Sequence, residues 1–102
     1  MGAFGLRHDA VVVAAIFEAS MNREQAEQLA GLMQAGRATR PEGVLTAALE
    51  FDEGTGRLTA YWRDRATLDA YLATGAVPRG TELMRQVGVE PTFRIADVLD
   101  LG

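Results

Sequence analysis

The chemistry open to this sequence is narrow. One histidine, one tryptophan, two tyrosines and no cysteine leave aromatic contact, hydrogen-bond donation, arginine charge and one imidazole. Trp62 offers a large apolar surface with an indole N–H that can donate to a ligand oxygen. Tyr71 carries a hydroxyl that can donate into the same space. Arg79, just before the segment Thr81 to Gln86, and Arg85, within it, could stabilise an anionic oxygen. His8 titrates at ~6.5 when unperturbed and could act as a general base. Each has a plainer reading: Trp62 as a core residue, Tyr71 as an amphipathic side chain with its tip in water, the arginines as solvated charge, and His8, beside Asp9, as part of a frayed terminus.

Other chemistries lack their residues. Without cysteine there is no thiolate nucleophile, disulfide or Cys-type metal site. One histidine and no HExxH leave a zinc site without its usual ligands, and no GxSxG elbow is present. Gly54-Thr55-Gly56 lies between two strand patterns, so it is a hairpin connection and not a phosphate loop. No metal or cofactor is expected.

These side chains must be positioned by a small scaffold. The 102 residues suit a single domain over 1–102, with its core about 9–101. Apolar residues make up 48% of the chain, enough for a packed core. The net charge is −4 and all ten basic residues are arginines, scattered without a basic stripe. Nucleic acid is therefore not an expected partner. The longest apolar run, Ala10 to Phe17, falls short of the roughly 20 residues that span a bilayer. It also lacks the flanks of a signal peptide. No membrane association is expected, and the cytoplasm is the expected location.

The run Asp9 to Glu18 is a strand, rich in β-branched residues and apolar on both alternate sets. Asn22 and Gln25 form a capping box opening a helix. Ala26, Leu29, Ala30 and Met33 then recur at helical spacing. Pro41 bars continuation. Gly43 to Asp52 is a second strand with Leu45, Ala47, Leu49 and Phe51 on one face, and Val44, Thr46, Ala48 and Glu50 on the other. Glu53 to Gly56 is a hairpin connection leading to a third strand, Arg57 to Trp62. Tyr61 points away from Trp62 because side chains alternate. Asp64 caps a second helix with Leu68, Tyr71 and Leu72 inward and a stop at Gly75. Thr81 to Gln86 adds one or two helical turns. Thr92 to Leu101 is the last strand, with Phe93, Ile95, Leu99 and Leu101 on one face.

The order β-α-β-β-α-β is that of an α+β, ferredoxin-like fold, a four-stranded antiparallel sheet with two helices on one face. The apolar outer sets of the first two strands would then lie bare. A homodimer through that sheet face covers them.

Pro41-Glu42-Gly43-Val44-Leu45, the Asp52-Glu53 turn, Ala60-Tyr61-Trp62-Arg63-Asp64 and Leu68-Asp69-Ala70-Tyr71-Leu72 together resemble the antibiotic-biosynthesis monooxygenase-like group of dimeric α+β barrels. The resemblance covers most of residues 9 to 101. It implies a Pro-Gly-type step opening the second strand, and a tryptophan closing the third. Many members carry a histidine nine residues after that tryptophan, where this chain has Tyr71. The haem-degrading relatives use a first-strand asparagine and a helical histidine, neither of which is here. The resemblance therefore implies a monooxygenase that oxidises an aromatic or polycyclic phenol with O2 and needs no cofactor. Trp62 and Tyr71 would be its catalytic residues, with Arg79, Arg85 and His8 binding substrate. The alternative is a non-catalytic dimer of the same fold that binds a small apolar or aromatic ligand.

Overall fold

The computed structural model describes residues 11–101. His8 lies outside them. The elements are β1 (Val13–Ser20), α1 (Arg23–Ala35), a 3-10 turn (Arg37–Thr39), β2 (Val44–Asp52), β3 (Thr55–Trp62), α2 (Arg65–Ala73), α3 (Arg79–Gln86) and β4 (Thr92–Asp97). The strands form one sheet in the order β2-β3-β1-β4, antiparallel throughout. This is the ferredoxin-like order expected from the sequence. The expected one or two helical turns after α2 are a full third helix, α3, which starts two residues earlier than Thr81 and so takes in Arg79 as well as Arg85.

Cross-strand pairing fixes two faces. Val13, Ala15, Phe17 and Ala19 of β1 stand opposite Trp62, Ala60, Leu58 and Gly56 of β3. Because paired residues share a face, these form the inner face, with Phe93 and Ile95 of β4. The helices lie on it. Ala26 and Leu29 of α1, Leu68 of α2 and Met84 of α3 are all buried there. Val13, Leu29, Leu68 and Met84 are sealed from solvent. Each such burial is worth about 1.5–3 kcal/mol of transfer free energy.

Local chemistry sets the helix starts. The capping box is formed as expected. Asn22 Oδ1 accepts Gln25 N–H at 2.8 Å, and Gln25 Oε1 accepts Asn22 N–H at 2.9 Å. Gln25 Nε2 also donates to Val87 O at 3.0 Å, which ties α1 to the end of α3. Asp64 Oδ1 accepts from both the N–H and the hydroxyl of Thr67 at 2.7 Å. It thereby caps α2. The hairpin is tighter than expected. Glu53 and Gly54 take φ of 49° and 82°. They make a two-residue turn whose twist matches the strands, so Thr55 and Gly56 already belong to β3.

Three expectations on strand limits and faces are corrected. Asp9 and Ala10 lie outside the described residues; within them β1 runs from Val13 on to Ser20, because Ala19 and Ser20 pair with Gly56 and Thr55 across the hairpin. In β2, Val44 pairs with Trp62 and Thr46 with the next residue, Tyr61. Leu45 is therefore the extra residue of a bulge. The bulge turns Val44 to the inner face, against simple alternation, and leaves Leu45 53% exposed. β4 ends at Asp97, opposite Val13, where its partner strand begins. Leu99 and Leu101 lie past that point, 93% and 67% exposed, and do not join the face of Phe93 and Ile95.

Candidate functional site

A cavity of about 70 Å³ lies between the inner face of the sheet and the helices. Phe17, Leu58, Trp62, Leu68, Tyr71 and Leu83 give it an apolar and aromatic wall. It is smaller than the ~300–1,000 Å³ of ordinary ligand clefts. Pro41, Tyr71 and Arg79 line both this cavity and an open groove on the outer surface, so they form its mouth.

Trp62 sits at the last position of β3, between Val13 and Val44 of the neighbouring strands. Gly43 packs on the indole, and its carbonyl accepts Arg63 N–H at 2.8 Å. A Cβ at Gly43 would collide with the Thr67 methyl and come 3.2 Å from the indole ring, and its φ is +101°. Only glycine meets both demands. This is the physical content of the Pro41-Glu42-Gly43 step. Trp62 is 3% exposed. Its indole N–H has no hydrogen-bond partner among the described residues, yet it is not a sealed, unsatisfied donor. It is free to donate to a guest.

Tyr71 reaches the same cavity from α2. Its ring lies 5.1 Å from that of Trp62, tilted by 36°, within the range of favourable aromatic pairs. Its hydroxyl accepts the backbone N–H of Arg79 at 3.0 Å, which leaves the phenolic proton to donate. Phe17 and Phe93 form a second aromatic pair at 4.9 Å on the far wall.

Arg79 lines the cavity, but its guanidinium is committed elsewhere. It donates to Gly36 O at 3.1 Å, Thr39 O at 3.0 Å and Thr39 Oγ1 at 3.3 Å. It thereby caps the carbonyl end of α1 and holds the turn after it. Arg85 is not brought to the cavity. It is exposed and grips both oxygens of Glu90 at 2.8 Å. That bidentate bond holds the Glu90 carboxyl below its usual range and raises the Arg85 guanidinium. So the structure brings together Trp62, Tyr71 and Arg79, and leaves Arg85 apart.

One polar lining residue escaped the sequence reading. Arg40 stands between the 3-10 turn and Pro41, lines the cavity, and is half-buried. The one available signal was its place in the loop where Pro41 stops the helix, which says nothing about where a side chain goes. The described lining contains no carboxylate, and no group of three or more His, Cys, Asp or Glu could hold a metal among the described residues.

No family model and no curated protein matches the chain. Solved structures do. The NE2512 protein of Nitrosomonas europaea, of unknown function, is 16% identical, with a TM-score of 0.61 over 92% of this chain and 95% of that one. SnoaB, a cofactor-independent oxygenase from Streptomyces nogalater, is 15% identical, with a TM-score of 0.55 over 91% and 96%. A protein of Chloroflexus aurantiacus, provisionally assigned as an antibiotic biosynthesis monooxygenase, is 13% identical, with a TM-score of 0.57 over 89% and 96%. At these identities the likeness is one of fold, and the chain has the α+β fold of antibiotic-biosynthesis monooxygenase-like proteins.

Proposed function

We propose that this protein is a cofactor-independent monooxygenase that oxidises an aromatic, phenolic small molecule with O2 in the cavity beneath its helices. The observation that carries the reading is the tilted Trp62–Tyr71 pair on an apolar cavity wall, with both polar hydrogens free to donate. The fold shared with SnoaB supports it by analogy.

In the balanced reaction a ring CH2 and O2 become C=O and H2O. The ionised substrate gives one electron to O2, and the radical and superoxide combine. The resulting hydroperoxide loses water to leave the ketone, so all electrons come from the substrate. The protein's part is to hold the rings on Trp62 and to donate hydrogen bonds from Trp62 and Tyr71 to the anionic oxygen. It also keeps water from the radical pair. Arg79 acts through Tyr71 and through the α1 terminus that it holds. No carboxylate stands ready as a base in the described lining, so the substrate arrives ionised or gives its proton to water. A tricyclic guest needs more than 70 Å³. The mouth at Pro41, Tyr71 and Arg79 is the place for the cavity to widen.

The same small volume favours a second reading, a non-catalytic dimer that holds a smaller apolar ligand. Phe17 and Met33 both reach the lining and take up room that a tricyclic substrate would need. In either reading the protein is a cytoplasmic homodimer joined through the outer face of the sheet. No helix among the described residues is long and apolar enough to cross a membrane.

The test is aerobic oxidation of anthrone to anthraquinone, followed by absorbance, with wild type, Trp62→Phe and Tyr71→Phe. Rapid turnover above the protein-free rate, reduced about tenfold or more in either variant that stays folded, is the expected result. No acceleration by wild type overturns the oxygenase reading for this substrate class and moves the assignment to the ligand-binding dimer.

A further inference from the structure

We propose that Arg40 is the ligand's anion receptor, and that the cavity takes an aromatic molecule bearing a carboxylate. This rests on the reading of the cavity as a ligand site. Among the described arginines, Arg40 and Arg79 are half-buried and the rest are exposed. Both line the same cavity. Arg79 is spent on the carbonyls of Gly36 and Thr39 and on the Thr39 hydroxyl. Arg40 has no hydrogen bond, ion pair or ring contact among the described residues.

Arg40 is half-buried as a residue, yet none of its guanidinium nitrogens is sealed from solvent, so its donors stay open to a guest. Arg37 and Arg94 also lack partners among the described residues, but both are exposed and solvated by water. The other described arginines meet a carboxylate, as Arg57 meets Glu18 at 2.8 Å and Arg65 meets Asp69 at 2.9 Å. The cavity lining offers Arg40 no carboxylate. A guest can supply one, and the planar fork of arginine matches a carboxylate in bidentate geometry. The Arg79 contacts also have a purpose here. By holding Thr39, they fix the backbone just before Arg40, which lines the cavity. The guest is thus amphipathic, its rings against Phe17, Trp62 and Leu68 and its carboxylate at Arg40.

The single tryptophan gives one indole N–H signal in a nitrogen–proton correlation spectrum, and that signal reports on the cavity. Titration would use 2-naphthoate against 2-naphthalenemethanol, with benzoate against benzyl alcohol as a smaller pair. Wild type is expected to bind the acid of a pair about tenfold tighter than the alcohol. Arg40→Gln should abolish that preference, the acid losing at least as much affinity as its advantage over the alcohol. Arg40→Lys should keep part of it, and Arg37→Gln all of it. Equal binding of acid and alcohol by wild type would overturn the Arg40 assignment and leave the ligand site standing. A preference that survives Arg40→Gln in a folded variant would overturn it too. If no probe moves the Trp62 signal, the ligand-site reading itself falls and takes this inference with it.

Discussion

The hydroxyl of Tyr71 accepts the backbone N–H of Arg79 at 3.0 Å, a bond from the last turns of α2 to the first residue of α3. One side chain thereby serves both the cavity wall and the loop that closes its mouth. Tyr71→Phe keeps the ring contact with Trp62 but strips the N–H of its acceptor. The expected loss is about 1 kcal/mol, or roughly 4–8 °C in Tm for a domain of this size. Amides of residues 76–79 should exchange faster, while those of β1 and β3 stay protected. An unchanged Tm with unchanged exchange would show that this bond does not hold the loop.

Asp64 links pH to the same wall, because it caps the helix that carries Leu68 and Tyr71. The Thr67 hydroxyl and then the Thr67 N–H, both donating to its carboxylate, hold Asp64 below the usual carboxylate range, since bonds to the charged form favour it. A carboxyl with a lowered folded pKa adds stability above its unfolded value, ~4, and loses it as pH falls through the folded value. Wild type should therefore lose this contribution only below about pH 4. Asp64→Asn keeps an oxygen acceptor and should remove that acid-dependent component with a small drop in Tm at neutral pH. Asp64→Ala should cost more at neutral pH and fray the start of α2, seen as faster amide exchange at Arg65 to Leu68. Identical acid unfolding curves for wild type and Asp64→Asn would sink the assignment.

Much of the fold is legible in the residues because its signals are local. The Asn22–Gln25 box, the Asp64 cap and the alternation of β3 each act within a few positions. What escaped depends on partners distant in sequence. The bulge at Leu45 exists because β2 must keep register with β3, so Val44 turns inward against its own alternation. β4 stops at Asp97 because β1 starts at Val13, a limit that Leu99 and Leu101 cannot announce. The site divides in the same way. Trp62 and Tyr71 carry bulk and polar hydrogens that suit a cavity wall, and they do line one. Arg79, Arg85 and Arg40 are chemically the same residue. Only the fold decides that one clamps a helix end, one pairs with Glu90 and one is left facing the cavity.

Two glycines in helices should respond to alanine with opposite signs. Gly31 lies in α1 with nothing within 4 Å of an added Cβ. Gly31→Ala should raise stability by about 0.5–1 kcal/mol through helix propensity alone. Gly80 in α3 is buried, and an added Cβ would stand 2.5 Å from the ring of Phe17. That ring is 4% exposed and packs on Phe93, so it has little room to yield. Overpacking of this kind costs about 1–3 kcal/mol, enough to outweigh the propensity gain. Thermal melts of the two variants check the signs. Stabilisation by Gly80→Ala would mean that Phe17 can move into the cavity at little cost, and that the cavity wall is soft.

The proposed dimer through the outer face of the sheet turns on charge placement. Its rows follow from the pairing: Thr46, Tyr61, Ala14 and Ala96 in one, Ala48, Thr59, Ile16 and Arg94 in the next, then Glu50, Arg57, Glu18 and Thr92. Two rows are small or apolar apart from Tyr61 and Arg94, and the third carries the Glu18–Arg57–Glu50 ion pairs. A second copy can cover the β2, β3 and β1 members of the first two rows, while Arg94 on the edge strand β4 and the charged row stay in water. The expected mass in solution is therefore twice the 11.0 kDa of one chain. Ile16→Lys places a new cation at the centre of that face, beside Arg94 in the pairing register. Burying it there without a partner is costly, so the variant should run as a monomer by light scattering and keep its helical circular dichroism. A wild-type monomer at tens of micromolar would reject this face as a self-association surface. A dimer that persists in Ile16→Lys would move the interface elsewhere on the molecule.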